Sequence, residues 1–288
     1  MEFLFMNKIQ DFLEENPGNV WYITKQSQNI WDILDSVNIL YSFKNNSIHE
    51  DYNDYFESQF KKIQPKYKER KILPTRIISN ASYLGFTDTR MKIVDRTIFE
   101  SFDPVREIVS NESVSNFKGN NKLLQIIERQ TEKMMLCQYD EKDKKREIYM
   151  VHPLFVLYKA LLLVGEYTSK YSITLDEFKY FICTVKHFNE IYWNINGLFE
   201  NRILNRELNI PADIRVHNLL VNNSKALELS RGRIFIKNDY VAVIKDKVEK
   251  YEKKVLPFLN KKLMYNALIS KKDIFEYFDK VNEIEKDL

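Results

Sequence analysis

Apolar residues along this chain recur mostly three and four positions apart, the spacing of helices that bury one face. Ile30, Ile33, Leu34 and Val37 mark such a stripe within 27–40, and Tyr52, Tyr55, Phe56, Phe60 and Ile63 mark another within 49–63. Leu123, Leu124, Ile127 and Met134 predict a helix over 119–136. Two strong helices are expected at 153–166 and 174–189, the second opened by Thr174 with Glu177 three positions on, a capping box. Period-two runs are short: Val20-Trp-Tyr-Ile-Thr24, Met91-Lys-Ile-Val-Asp95 with Thr97-Ile-Phe99, and Glu147-Ile-Tyr-Met-Val151. Six glycines and seven prolines leave too few turns for a many-stranded sandwich. The pattern predicts a mainly α fold.

One helix carries polar side chains of a particular kind. In Leu73-Pro-Thr-Arg-Ile-Ile-Ser-Asn-Ala-Ser-Tyr-Leu-Gly-Phe86, Pro74 suits a first turn and Gly85 an end. Ile77, Ile78, Ala81 and Leu84 form an apolar back. Thr75, Arg76, Ser79, Asn80 and Ser82 are expected to form an exposed front able to read base edges in a groove. The cations Lys61, Lys62, Lys66, Lys68, Arg70 and Lys71 precede this helix, and Arg90 and Lys92 follow it, all candidates for phosphate contact. An amphipathic helix taken alone is more often scaffold than a recognition element, and a basic run taken alone is a solvated face.

The second half repeats the theme. Asn194-Ile-Asn-Gly197 reads as a hinge. Ala212-Asp-Ile-Arg-Val-His-Asn-Leu-Leu220 reads as a short helix, and Ala226-Leu-Glu-Leu229 and Arg233-Ile-Phe-Ile-Lys237 as two strands around the turn Ser230-Arg-Gly-Arg. A helix over 239–256 follows. Helix, hairpin, helix is the winged-helix arrangement, with the hairpin as the wing. Arg231 and Arg233 at its tip are placed to meet a phosphate or a minor groove, with Arg215 and Lys237 as further phosphate candidates. An ordinary hairpin with solvated cations fits the same residues. The expected organisation is a recognition subdomain with a first winged helix at 1–195, a second winged helix at 196–256, and a helical linker or docking tail at 257–288.

Composition changes this picture little. The net charge of +3 is too small to announce a nucleic-acid binder, so the placement of charge carries the reading. Cys137 and Cys183 are the only cysteines and form no metal-type pair, which points to a reducing cytoplasm. The apolar start is followed by Asp11, Glu14 and Glu15, unlike a secretory leader. The longest apolar run, 153–165, contains Lys159 and is too short to span a bilayer, so no membrane partner is expected. His49, His152, His187 and His217 lack zinc-type spacing, and no Gly-rich phosphate loop occurs. Acid-x-Lys triplets occur at Glu69, Asp140, Asp143, Glu177 and Glu252, as they do freely in a chain that is 30% charged. None follows a Pro-Asp, and none makes a convincing nuclease centre.

In order and spacing, five segments resemble the N-terminal DNA-recognition region of AlwI-type type IIS restriction endonucleases, a group that includes MlyI-like and nicking enzymes. These are Val20-Trp-Tyr-Ile-Thr24 with 30–40; Thr75-Arg76 through Tyr83-Leu-Gly-Phe86; His152-Pro-Leu-Phe-Val-Leu with Leu161-Leu-Leu-Val-Gly165; Ile173-Thr-Leu-Asp-Glu-Phe-Lys-Tyr-Phe-Ile182; and Ala212-Asp-Ile-Arg-Val through Ile236. The resemblance spans about residues 19–250. It implies two winged-helix subdomains that hold double-stranded DNA and read a short asymmetric site. It also implies a partner nuclease domain or subunit that cuts nearby with Mg²⁺, while this chain itself needs no cofactor. A winged-helix transcriptional regulator and a complete Mg²⁺-dependent nuclease with an unrecognised site are the alternatives.

Overall fold

A computed structural model describes residues 4–15, 18, 20–21, 23, 28–46, 48–69, 72–88, 92–110, 112–138, 149–210 and 214–257. The chain forms two compact units, one of Ile23–Met134 and one that joins Met1–Tyr22 to Met135–Leu288. In chain order the helices of the first half are α1 (Leu4–Glu15), α2 (Ile30–Asn45), α3 (Tyr52–Ile63), α4 (Pro74–Tyr83), α5 (Asp103–Val109) and α6 (Asn121–Lys133). Strands β1 (Leu136–Gln138) and β2 (Tyr149–Val151), helix α7 (Pro153–Thr168), strand β3 (Ser172–Thr174) and the short helix α8 (Leu175–Glu177) follow. The remainder is α9 (Ile191–Leu204), α10 (His217–Asn222), β4 (Leu227–Ser230), β5 (Arg233–Ile236) and α11 (Val241–Lys250). The fold is mainly helical, with a small three-stranded antiparallel sheet. Among the described residues no helix is long and apolar enough to cross a membrane.

In the unit Ile23–Met134, α2 is buried on nearly every side. The expected stripe of Ile30, Ile33, Leu34 and Val37 is inside, and so are Asp32, Asp35 and Ser36. The Asp35 carboxylate accepts hydrogen bonds from Ser113 Oγ (3.0 Å), Val114 N (2.7 Å), Gln64 Nε2 (3.1 Å) and the Ser115 hydroxyl. A buried carboxylate is tolerable only with such a set of donors. Helix α4 packs Ile77, Ile78 and Ala81 inward and stops as its sequence predicts. Gly85 takes φ 72°, its N–H bonds Ser82 O (3.2 Å), and the N–H of buried Phe86 bonds Ala81 O (2.9 Å), a Schellman ending.

The strand and wing expected after α4 do not form among the described residues. Ile93–Asp95 is a 3₁₀ turn, and only Thr87 and Ile98 make a β-bridge. Asp95 N and Arg96 N bond the carbonyls of Lys92 and Ile93, which uses locally the groups that a ladder would need. Of the strand expected at Val20-Trp-Tyr-Ile-Thr24, the described residues Val20, Trp21 and Ile23 are in no ladder, and Tyr22 and Thr24 lie outside the described residues. Trp21 is held instead by Cys183 O (2.8 Å) on its N–H and Val185 O (2.7 Å) on its indole N–H.

In the other unit, β3, β5 and β4 lie in that order, with Ile173 opposite Ile234 and Leu227 opposite Ile236. These four side chains are buried and seat the sheet on the helices. The helix expected over 174–189 opens with its capping box but gives way to a π turn, Phe178–Ile182. Side chains then take its last carbonyls: Asn194 Nδ2 bonds Phe181 O (2.6 Å), and Thr184 Oγ1 bonds Tyr180 O (3.0 Å). The boundary expected near residue 195 falls inside α9. Gly197 is no hinge. A Cβ there would stand 3.0 Å from Ile9 Cδ1, so this glycine lets α1 approach. Glu200, one turn on, accepts the N–H groups of Phe5 (3.1 Å) and Met6 (2.8 Å). Of the expected tail, 258–288 lies outside the described residues.

Candidate nucleic-acid interface

Two surfaces carry the expected DNA contacts, one in each unit. On α4, Thr75 and Arg76 are exposed and Ser79 half-buried, but Asn80 is fully buried and Ser82 is 6% exposed. The expected reading face is therefore corrected at Asn80 and Ser82, which have no surface with which to meet a base. At about 100° per residue, Asn80 lies only about 60° around the helix from Ile77, inside the packed arc. Tyr83, one turn beyond Ser79, is half-buried on the same row.

The basic run is not uniform. Lys62 and Lys68 are exposed, and Lys61 reaches Glu57 at 2.6 Å one turn back. Lys66 has a structural task. Its ammonium lies 2.9 Å from buried Asp32, whose other oxygen accepts the Tyr67 hydroxyl at 2.7 Å. Removing Lys66 would leave a buried carboxylate short of its cation, so it is a poor probe of phosphate binding. Lys92 is exposed. Arg70, Lys71 and Arg90 lie outside the described residues.

The second surface is the β4–β5 hairpin. Arg231 (φ 47°) and Gly232 (φ 71°) both take left-handed conformations, as a two-residue type I′ turn requires. Arg231 and Arg233 are exposed at this tip. The tip is latched: Gly232 O accepts the N–H of Leu175 at 2.8 Å, and Arg233 Nη2 reaches Ser172 Oγ at 3.4 Å. Arg202 of α9 fastens the base of this latch, with Nε 2.6 Å from Glu177 Oε1, Nη2 2.9 Å from Oε2, and Nη2 3.4 Å from Ser172 O. Burial pushes the Glu177 carboxyl upward. Hydrogen bonds from Arg202 and the Thr174 backbone, with the charges of Arg202 and Arg233, outweigh it and hold the carboxyl below its ordinary range. No local spacing announces the Glu177–Arg202 pair, because its members are 25 residues apart.

Arg215 is exposed just before α10, while Lys237 spends its ammonium on Lys225 O at 2.9 Å. His217 opens α10 in a buried place. Burial, with Lys179 and Arg215 nearby, lowers its pKa to about 4. His152 is buried beside Tyr251, its Nδ1 2.8 Å from the hydroxyl, and burial lowers it to about 3. Neither ring is poised as a general base near neutral pH.

Among the described residues no three His, Cys, Asp or Glu side chains converge as a metal site. Of the acid-x-Lys triplets, Glu177 is committed to Arg202, and Glu252 pairs with Lys159 at 2.8 Å. Asp140 to Lys145 lies outside the described residues. No protein-family model, curated protein or solved structure matches the chain. The resemblance to AlwI-type enzymes rests on the order of its motifs.

Proposed function

We propose that the chain recognises a short asymmetric sequence in double-stranded DNA as the reading component of a type IIS-like restriction system, with cleavage supplied by a Mg²⁺-dependent nuclease domain or subunit. The observation that carries this reading is the latched hairpin. Two exposed arginines stand on a turn fixed by backbone geometry, and the turn is tied to α8 and braced by Arg202. A surface arginine with no task would not call for such a mount. The small three-stranded antiparallel sheet, whose hairpin follows the short helix α10, supports reading that hairpin as a wing. On α4, Thr75 and Arg76 offer side chains of the kind that read base edges, Ser79 (whose hydroxyl donates to Thr75 O) offers an acceptor, and Lys62 and Lys68 offer phosphate contacts. The motif order of the sequence supplies the restriction context.

Fluorescence anisotropy of a labelled duplex, titrated at several salt concentrations, tests the reading. Binding should weaken as salt rises, with a log–log slope of about −0.9 per neutralised phosphate. Arg231→Ala with Arg233→Ala should make that slope shallower by about one to two phosphates' worth. Duplex binding absent at low salt, or a slope the double variant leaves unchanged, would remove the hairpin from the interface.

A further inference from the structure

One side of α9 stays exposed although it carries no charge. At about 100° per residue, Tyr192, Asn196, Phe199 and Ile203 fall within about 60° of one another, opposite buried Asn194, Leu198 and Asn201. Ile203 is 75% exposed and Tyr192 47%, while Phe199 is half-buried. Tyr167, 74% exposed at the end of α7, widens the row, its ring meeting that of Phe199 edge-on with centroids 5.3 Å apart. The charges that flank the row on α9 are engaged, Glu200 by the N–H groups of Phe5 and Met6 and Arg202 by Glu177. The outer side of a surface helix normally carries charge, so a row of aromatic and aliphatic side chains marks a surface that something covers.

The described chain leaves the fold beside this row. In the π turn Tyr251–Val255, Tyr251 packs on Phe188 with ring centroids 5.0 Å apart. Glu252, next to it, lies 2.8 Å from Lys159 Nζ, which stands 5.3 Å from the Tyr192 ring centroid. Beyond Pro257 the sequence holds an apolar stripe. Ile274, Tyr277, Phe278, Val281 and Ile284 recur three and four positions apart, within about 120° on a helix, after Ser270 with Asp273 three positions on. A helix over 274–284 is about 15 Å long, against about 17 Å for the row from Tyr192 to Ile203. Residues 258–270 span up to about 40 Å when extended, enough to bring the stripe back along α9.

We infer that the segment 274–284 docks, within its own chain, on the outer row of α9 and Tyr167. Its apolar stripe covers Tyr192, Phe199 and Ile203, and its charged side faces water. Attachment through 258–270 holds the stripe near α9 at an effective concentration of about millimolar order, which a second copy in dilute solution does not reach. The docking does not depend on the proposed reading of DNA.

Hydrogen exchange of the full chain, read by mass spectrometry, tests this. Backbone amides of 274–284 should exchange at least about tenfold more slowly than an unstructured peptide of the same sequence. Ile203→Asp and Tyr167→Asp alter highly exposed positions and should each return most of that protection. The amides of 195–201, inside α9, should stay as protected as before, which separates undocking from unfolding. Protection should be unchanged over about a tenfold range of protein concentration, as an intramolecular contact requires. A segment that exchanges like the free peptide, or that stays protected in both variants, would overturn the assignment. Protection that grows with concentration would overturn it in favour of a second copy as the occupant.

Discussion

Asp35 shows how one side chain can organise a unit. Replacing it by Ala would orphan the buried Val114 N–H and take an acceptor from the half-buried hydroxyls of Ser113 and Ser115 and from the Gln64 amide. Asp35→Ala should cost on the order of 3 kcal/mol in urea unfolding. A loss under about 1 kcal/mol, the size of an exposed substitution, would show that the cluster contributes little. The buried histidines act through pH. Both folded-state values lie below the ordinary 6.5, at about 3 for His152 and about 4 for His217. Above 6.5 both rings are neutral in folded and unfolded chains, and their contribution is fully present. As pH falls from 6.5 toward 4, the unfolded chain takes up protons that the folded chain cannot, so stability falls. The expected slope is about 1.4 kcal/mol per pH unit for each histidine, measured as the urea midpoint against pH. A midpoint that is flat over this range, or that rises as pH falls, would contradict the burial of these rings.

Among elements, the sheet that carries the hairpin depends on one missing Cβ. A Cβ on Gly165 would stand 2.0 Å from Tyr171 Cδ1, and the Tyr171 carbonyl accepts the N–H of Ile236 at 3.1 Å. Gly165→Ala must therefore move a ring whose backbone is joined to β5. A loss of about 1–3 kcal/mol in thermal or urea unfolding is expected. Adding Tyr171→Ala should return part of that loss, and strict additivity of the two changes would rule out the clash. Elements were legible where their signals are local: Pro74 and Gly85 bound α4, Thr174 and Glu177 cap α8, and Arg231-Gly232 turn the hairpin. They were illegible where distant groups decide. The helix expected to run to 189 ends early because Asn194 and Trp21, remote in sequence, take the carbonyls of Phe181 and Cys183. Asn80 looked like a front-face residue because its polarity spoke louder than its angle on the helix.

For the whole molecule, helical periodicity made the mainly α fold readable, but the division of the chain was not. Gly197 and its asparagines look like a hinge in one dimension. In three dimensions the glycine is where α1 touches α9, a contact some 190 residues apart in sequence. The reading of function rests on exposed side chains of two surfaces, and a random-library selection tests it most directly. Duplexes carrying a randomised segment are bound to the full chain at moderate salt, recovered and sequenced. One short asymmetric sequence should be enriched. Arg76→Ala should relax the preference at a guanine by about 1–3 kcal/mol. Asn80→Ala should lower stability and leave the preferred sequence unaltered. Recovery of an unenriched pool, or of a palindrome bound by a dimer, would contradict the account.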